Sequence, residues 1–233
     1  MYGYYGYDWT MILVAAGAVL CMLASMHVNT TYTRYSRMAA ACGLTGADVA
    51  RLILERNGVT DVQVQHVSGN LTDHYDPSRQ VVNLSDAVYG SRSVAALGVA
   101  AHECGHVMQH EEGYTPLQFR TALVPIANFG SNVGIWIVLL SLILGLSSTL
   151  TTIGIVLFSM GVLFQLVTLP VEFNASHRAL VMLEQYGVLG TDENRKARAV
   201  LKAAALTYVA AAASSILQLL RLVLLSNRRN RND

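Results

Sequence analysis

From Val133 to Val171 the chain carries no charged residue. That run is long enough for two membrane spans of about 20 residues each, and Ser147, Ser148, Thr149, Thr151 and Thr152 interrupt it midway as a tight polar turn would. A transmembrane hairpin over 133–171 is the expectation. The rest of the chain agrees, because 53% of its 233 residues are hydrophobic and only 13% charged, against roughly 25% charged in a soluble domain. A first apolar run, Met11 to Met26, follows Asp8 and Trp9 with no basic start or small-x-small cleavage site before it. It reads as a retained N-terminal anchor over 1–26. The last run, Ala203 to Leu225, is apolar apart from Gln218 and Arg221, and could either span or lie along the membrane surface within a C-terminal segment 203–233. A mainly α membrane protein with three to four membrane helices follows.

Net charge is only +1, which gives no general attraction to nucleic acid and excludes it as an expected partner. The positive charge is local. Arg228, Arg229 and Arg231 form a basic tail suited to a lipid surface. Arg34 and Arg37 follow the first run, while Arg178, Arg195, Lys196, Arg198 and Lys202 lie between the third and fourth runs; by the positive-inside rule both segments face the cytoplasm. If all four runs span, the arginine tail falls outside, against the same rule. Tyr2, Tyr4, Tyr5 and Tyr7 fit an interfacial aromatic belt. Three cysteines with no paired spacing argue against a disulfide framework and for a reducing compartment.

Residues 27–132 are the one stretch able to build a unit outside the membrane. Thr45 precedes a helix-spaced Val49, Leu52 and Ile53 that Asn57-Gly58 stops. The period then changes: Val62, Val64 and His66 alternate with polar residues, Ser68-Gly69-Asn70 turns, and Gln80 to Leu84 makes a second extended run. This predicts a small β element. Ser91 or Ser93 then caps a helix that runs from Val94 to near Gly113.

That helix contains His102-Glu103-Cys104-Gly105-His106. Residues four apart lie on one helix face, so two imidazoles can grip one Zn²⁺ at about 2.0 to 2.1 Å. Glu103 is placed to take a proton from water activated by the metal, the arrangement of a zincin-like hydrolase. Two histidines leave the metal short of a ligand. A histidine-extended motif would need glycine at 109 and histidine at 112, where the chain has Gln109 and Glu112. No aspartate occurs between Gly113 and Thr191, so Glu172 and Glu184 are the carboxylates left. Glu172 sits at the end of an apolar span, where a carboxylate is costly unless ligated or solvated, and it opens a third-ligand helix region over 172–202. Glu184, in a polar stretch, reads as solvated.

With these residues assembled, the chain resembles the YugP-type neutral zinc metallopeptidases, membrane gluzincins related in motif to the HtpX and CAAX prenyl proteases. The matching segments are Leu71-Thr72-Asp73-His74-Tyr75-Asp76-Pro77, Val82-Asn83-Leu84-Ser85, Val99-Ala100-Ala101-His102-Glu103 and Val171-Glu172-Phe173-Asn174-Ala175-Ser176, spread over about residues 30–210. The resemblance implies one catalytic Zn²⁺ on His102, His106 and Glu172. It also implies that Asn83, Leu84 and Ser85 form the edge strand against which an extended peptide substrate pairs. Two positions depart from the pattern: Ser176 stands where an acidic residue supports a histidine, and Asn174 where the YugP type has aspartate.

A donor facing the tetrahedral oxyanion is also needed, and His74, Tyr75, His177 and Arg178 compete for that role; residues 73–77 could equally be a simple turn. His110 reads as a surface histidine and Cys104 as a packed helix residue. The expected activity is zinc-dependent hydrolysis of peptide bonds in membrane or membrane-proximal proteins, at a site facing the cytoplasm. A membrane assembly protein that keeps zinc for structural reasons is the alternative, and a small or lipid-linked amide is a third substrate class.

Overall fold

The computed structural model describes residues 8–229. The four aromatic-belt tyrosines and Arg231 lie outside that range. Among the described residues, six helices and three strands follow in the order α1 (Met11–Ser36), α2 (Gly46–Arg56), β1 (Gln63–Val67), β2 (His74–Asp76), β3 (Val81–Ser85), α3 (Val94–Glu111), α4 (Thr115–Ile143), α5 (Ser148–Gln185) and α6 (Thr191–Arg229). Of these, α1, α4, α5 and α6 are each long and apolar enough to cross a membrane. The fold is thus a mainly α membrane protein with a small sheet.

The chain divides into two compact units. One comprises the chain up to Ala24, Phe119–Thr168 and the chain from Thr207 on; the other comprises Ser25–Gln118 and Leu169–Leu206. In the first, α4 and α5 form the hairpin that the charge-free run requires. Its turn lies slightly earlier than the polar cluster suggests: Gly145 takes a positive φ of 66°, and Ser148 to Thr152 already belong to α5. The reason is that Ser141 and Thr151 bond each other, 2.7 Å apart, across the two helices. Gly130, Gly134, Gly154 and Gly161 let the helices approach; a Cβ at Gly134 would stand 2.6 Å from the backbone nitrogen of Phe158. In lipid, where apolar surface gives little drive to helix pairing, such close packing holds helices together.

In the same unit the last apolar run, in α6, packs against α1. Arg221 on α6 pairs with Asp8 at 3.1 Å, Arg228 lies over the Trp9 ring at 5.2 Å, and Ser214 packs where Gly17 lacks a side chain. As α1 ascends from Asp8 to Gly17, its neighbours on α6 descend from Arg221 to Ser214. The two helices are antiparallel. The arginine inside the apolar run is therefore neutralised by a carboxylate rather than left to lipid.

The second unit is built on α2, α3 and the sheet. Thr45 and Asp48 cap α2 reciprocally, each side chain taking the other's backbone N–H. Ser93, not Ser91, caps α3. Ile53, Leu84, Leu97 and Leu183 are fully buried in one core under the sheet. The strand order is β1-β3-β2, with β1 parallel and β2 antiparallel to β3. This corrects the edge-strand expectation for Asn83, Leu84 and Ser85. β3 is the central strand and buried throughout; Asn83 is paired with Gln65 on one side and His74 on the other. Beyond the end of β2, the Ser85 N–H is taken by Asp73 Oδ1 at 2.7 Å. Asn83 thus has a strand on each side and offers no free edge to a substrate strand.

Candidate metal centre

On α3 the His102 and His106 rings stand 4.8 Å apart, edge to face, as one helical turn dictates. The third residue comes from α5, which continues through Pro170 instead of starting afresh at Glu172. Glycine allows the meeting: a Cβ at Gly105 would lie 2.5 Å from the Ala175 carbonyl oxygen, so α3 and α5 touch backbone to backbone between the two histidines. Glu172 Oε2 then lies 3.3 Å from His102 Nε2 and 3.7 Å from His106 Nε2. Gly105→Ala would force these helices apart, at a cost of about 1–3 kcal/mol in overpacking, and should lower zinc affinity as well as melting temperature. Unchanged zinc binding in that variant would contradict the close approach.

The donor set suits a cation. Glu172 is only 3% exposed, and its Oε2 has no hydrogen-bond partner although two ring nitrogens face it. An orphaned buried carboxylate oxygen is expensive, and a metal ion bound to all three groups removes the cost. Their ligand atoms lie within 4.8 Å of one another, and two imidazoles with one carboxylate are a donor set that zinc accepts.

The candidate ligand residues are themselves held. His102 Nδ1 is 3.1 Å from Ser176 Oγ, so serine occupies the supporting position despite lacking a charge. His106 Nδ1 is 3.0 Å from Gln109 Oε1, a partner whose place in the sequence shows only as a missing glycine. Its position three residues after a ligand histidine is the available signal, since i and i+3 share a helix face. Glu103 is buried beside this cluster. Burial pushes its carboxyl above the ordinary range, while the imidazoles of His102 and His106 pull the other way.

The four oxyanion candidates separate. His74 is engaged at both ring nitrogens, Nδ1 to the Thr72 carbonyl at 2.8 Å and Nε2 to Asn83 at 3.2 Å. Arg178 is committed to Glu112 through both terminal nitrogens, at 2.6 and 2.7 Å, and to Asn174. His177 is exposed and lies about 140° around α5 from Glu172. Tyr75 keeps a buried hydroxyl with no hydrogen-bond partner, its ring edge-on to His110 at 5.9 Å; its strand β2 replaces the simple turn that residues 73–77 allowed. Cys104 is fully buried in the core, and Glu184, on the exposed side of α5, accepts from Asn194 at 3.1 Å.

Two histidines one helical turn apart, met by a buried carboxylate from an apolar helix, make a candidate metal site in a membrane protein, and the family comparison is in keeping with a zinc protein. Residues 10–227 match the family described as "Putative neutral zinc metallopeptidase". The chain belongs to that family. It is 47% identical over 223 residues to the "Putative membrane protease YugP" of Bacillus subtilis (strain 168), covering 95% of this chain and 99% of the relative. No solved structure matches it.

Proposed function

We propose that the chain is a gluzincin-type zinc endopeptidase, with one Zn²⁺ on His102, His106 and Glu172, that hydrolyses peptide bonds of membrane or membrane-proximal proteins. The observation that carries this is the unpartnered Glu172 Oε2 facing two imidazole nitrogens, next to a buried Glu103 on the same helix as those histidines. Zinc, when bound, supplies a Lewis acid that polarises the peptide carbonyl and makes an attacking water acidic. Glu103 takes the proton from that water and returns it to the leaving amine, so that one carboxyl serves as base and then acid. Burial, which raises its proton affinity, suits it to both halves of the cycle. The Tyr75 hydroxyl is the oxyanion donor this reading favours, because it is the candidate with its donor unspent.

The site faces the cytoplasm in this account, on the strength of the basic residues after the first run and between the third and fourth. A membrane-anchored peptide tail is then the natural substrate, since anchoring raises its effective concentration at the surface. In inverted vesicles carrying the protein, such a tail should be cleaved, with cleavage lost on chelation and restored by Zn²⁺; in right-side-out vesicles it should survive. Cleavage confined to right-side-out vesicles would contradict the orientation. No cleavage in either, with zinc present, would favour the structural-zinc alternative.

A further inference from the structure

Gln109 is fully buried in α3, yet it belongs to neither the metal-ligand set nor the proton-transfer machinery. Its amide nitrogen donates to the Val171 carbonyl at 2.8 Å and to Asn174 Oδ1 at 3.0 Å, and its Oε1 lies 3.0 Å from His106 Nδ1. Asn174 Oδ1 also accepts from Arg178 Nε at 2.7 Å, and Arg178 is clamped on Glu112.

Two members of this chain of contacts cannot reverse their roles. A backbone carbonyl only accepts, and a guanidinium only donates. The Arg178 N–H therefore fixes Asn174 with its oxygen inward, and that oxygen together with the Val171 carbonyl fixes the Gln109 NH₂ group toward them. The Gln109 oxygen is left toward His106. Because that oxygen can only accept, Nδ1 of His106 must carry a proton, and Nε2 is the nitrogen left to face Glu172 and the metal site.

We propose that Gln109 is a positioning residue that locks His106 in the Nδ1–H tautomer, with its own orientation dictated by Val171, Asn174 and Arg178. His102 has no such lock, since the Ser176 hydroxyl that meets its Nδ1 can donate or accept. The inference rests on the metal-site reading for its purpose but not for its geometry. Losing partners that orient a ligand histidine typically weakens metal affinity by about 10- to 100-fold.

The test uses full-length protein in detergent, ¹⁵N-labelled at histidine. In the metal-free wild type, the His106 signals should report a single tautomer protonated at Nδ1. Gln109→Met, similar in volume but without the acceptor, should convert them to a tautomer mixture and weaken Zn²⁺ binding, measured against a chromogenic chelator, by about 10- to 100-fold. Asn174→Val reads the same relay without touching the buried glutamine and should move both measurements the same way. Asn174→Asp, which still accepts from Gln109 and Arg178, should preserve both. Wild-type tautomer and wild-type zinc affinity in Gln109→Met would overturn the proposal, and so would identical behaviour of Asn174→Val and Asn174→Asp. A wild type that binds no zinc would overturn the metal reading instead, while the metal-free spectra would still decide the role of Gln109.

Discussion

Glu103→Gln should bind zinc as the wild type does and hydrolyse peptide bonds about 100- to 10,000-fold more slowly, the range that a positioned acid–base group contributes. The substitution keeps the shape of the side chain, so the packing around a residue only 7% exposed has no reason to change. What it removes is the ability to take a proton. Burial raises the proton affinity of the native carboxyl, and the neighbouring imidazoles moderate that rise; an amide has no such equilibrium at all. His102, His106 and Glu172 are untouched, so zinc content should stay stoichiometric. Hydrolysis at the wild-type rate would remove Glu103 from the mechanism. A cellular role that survives the substitution would favour the structural-zinc alternative.

Much of this site was legible because short-range helix geometry is legible. His102 and His106 share a face wherever the segment is helical, and the run from Val94 to Ala101 made it so. Glu172 could be reached by elimination, since so few carboxylates follow the motif. The sheet was less legible, for a physical reason. β2 is three residues long, His74–Asp76, too short to show alternation, and it reads equally as a turn. Without it only β1 and β3 are visible in the sequence, and nothing in the strand pattern counters the edge strand that the family resemblance implies for Asn83 to Ser85. In fact β3 sits between two partners, and the three exposed polar residues Gln63, Gln65 and His66 mark β1 as an outer strand.

The supporting contacts were hidden because they are long-range and depend on side-chain direction. The resemblance marks position 176 as one that supports a histidine, but which histidine it meets, and that Gln109 would stand between His106 and Asn174, needs the backbone contact of α3 with α5 at Gly105. Nothing in the spacing of a lone glycine inside the motif announces which carbonyl it makes room for. Arg178 shows the converse: its charge made it attractive as an oxyanion donor, but the competing carboxylate of Glu112 is 66 residues away in the chain. Such pairings emerge only when the helices are in place.

The expected loss is largest for zinc itself when Glu172 becomes alanine. In the proposed site the carboxylate would be one of three protein ligands and the only negative charge among them, and two imidazoles alone make an incomplete zinc site. The substitution leaves the backbone of α5 and the contacts of Gln109, Asn174 and Ser176 free to persist, so the histidines would remain in place with nothing opposite them. The decisive measurement is zinc content and affinity of purified Glu172→Ala against the wild type, with the folded state of both verified. The account predicts stoichiometric zinc in the wild type and loss of tightly bound zinc from the variant; stoichiometric zinc at wild-type affinity in Glu172→Ala would contradict it.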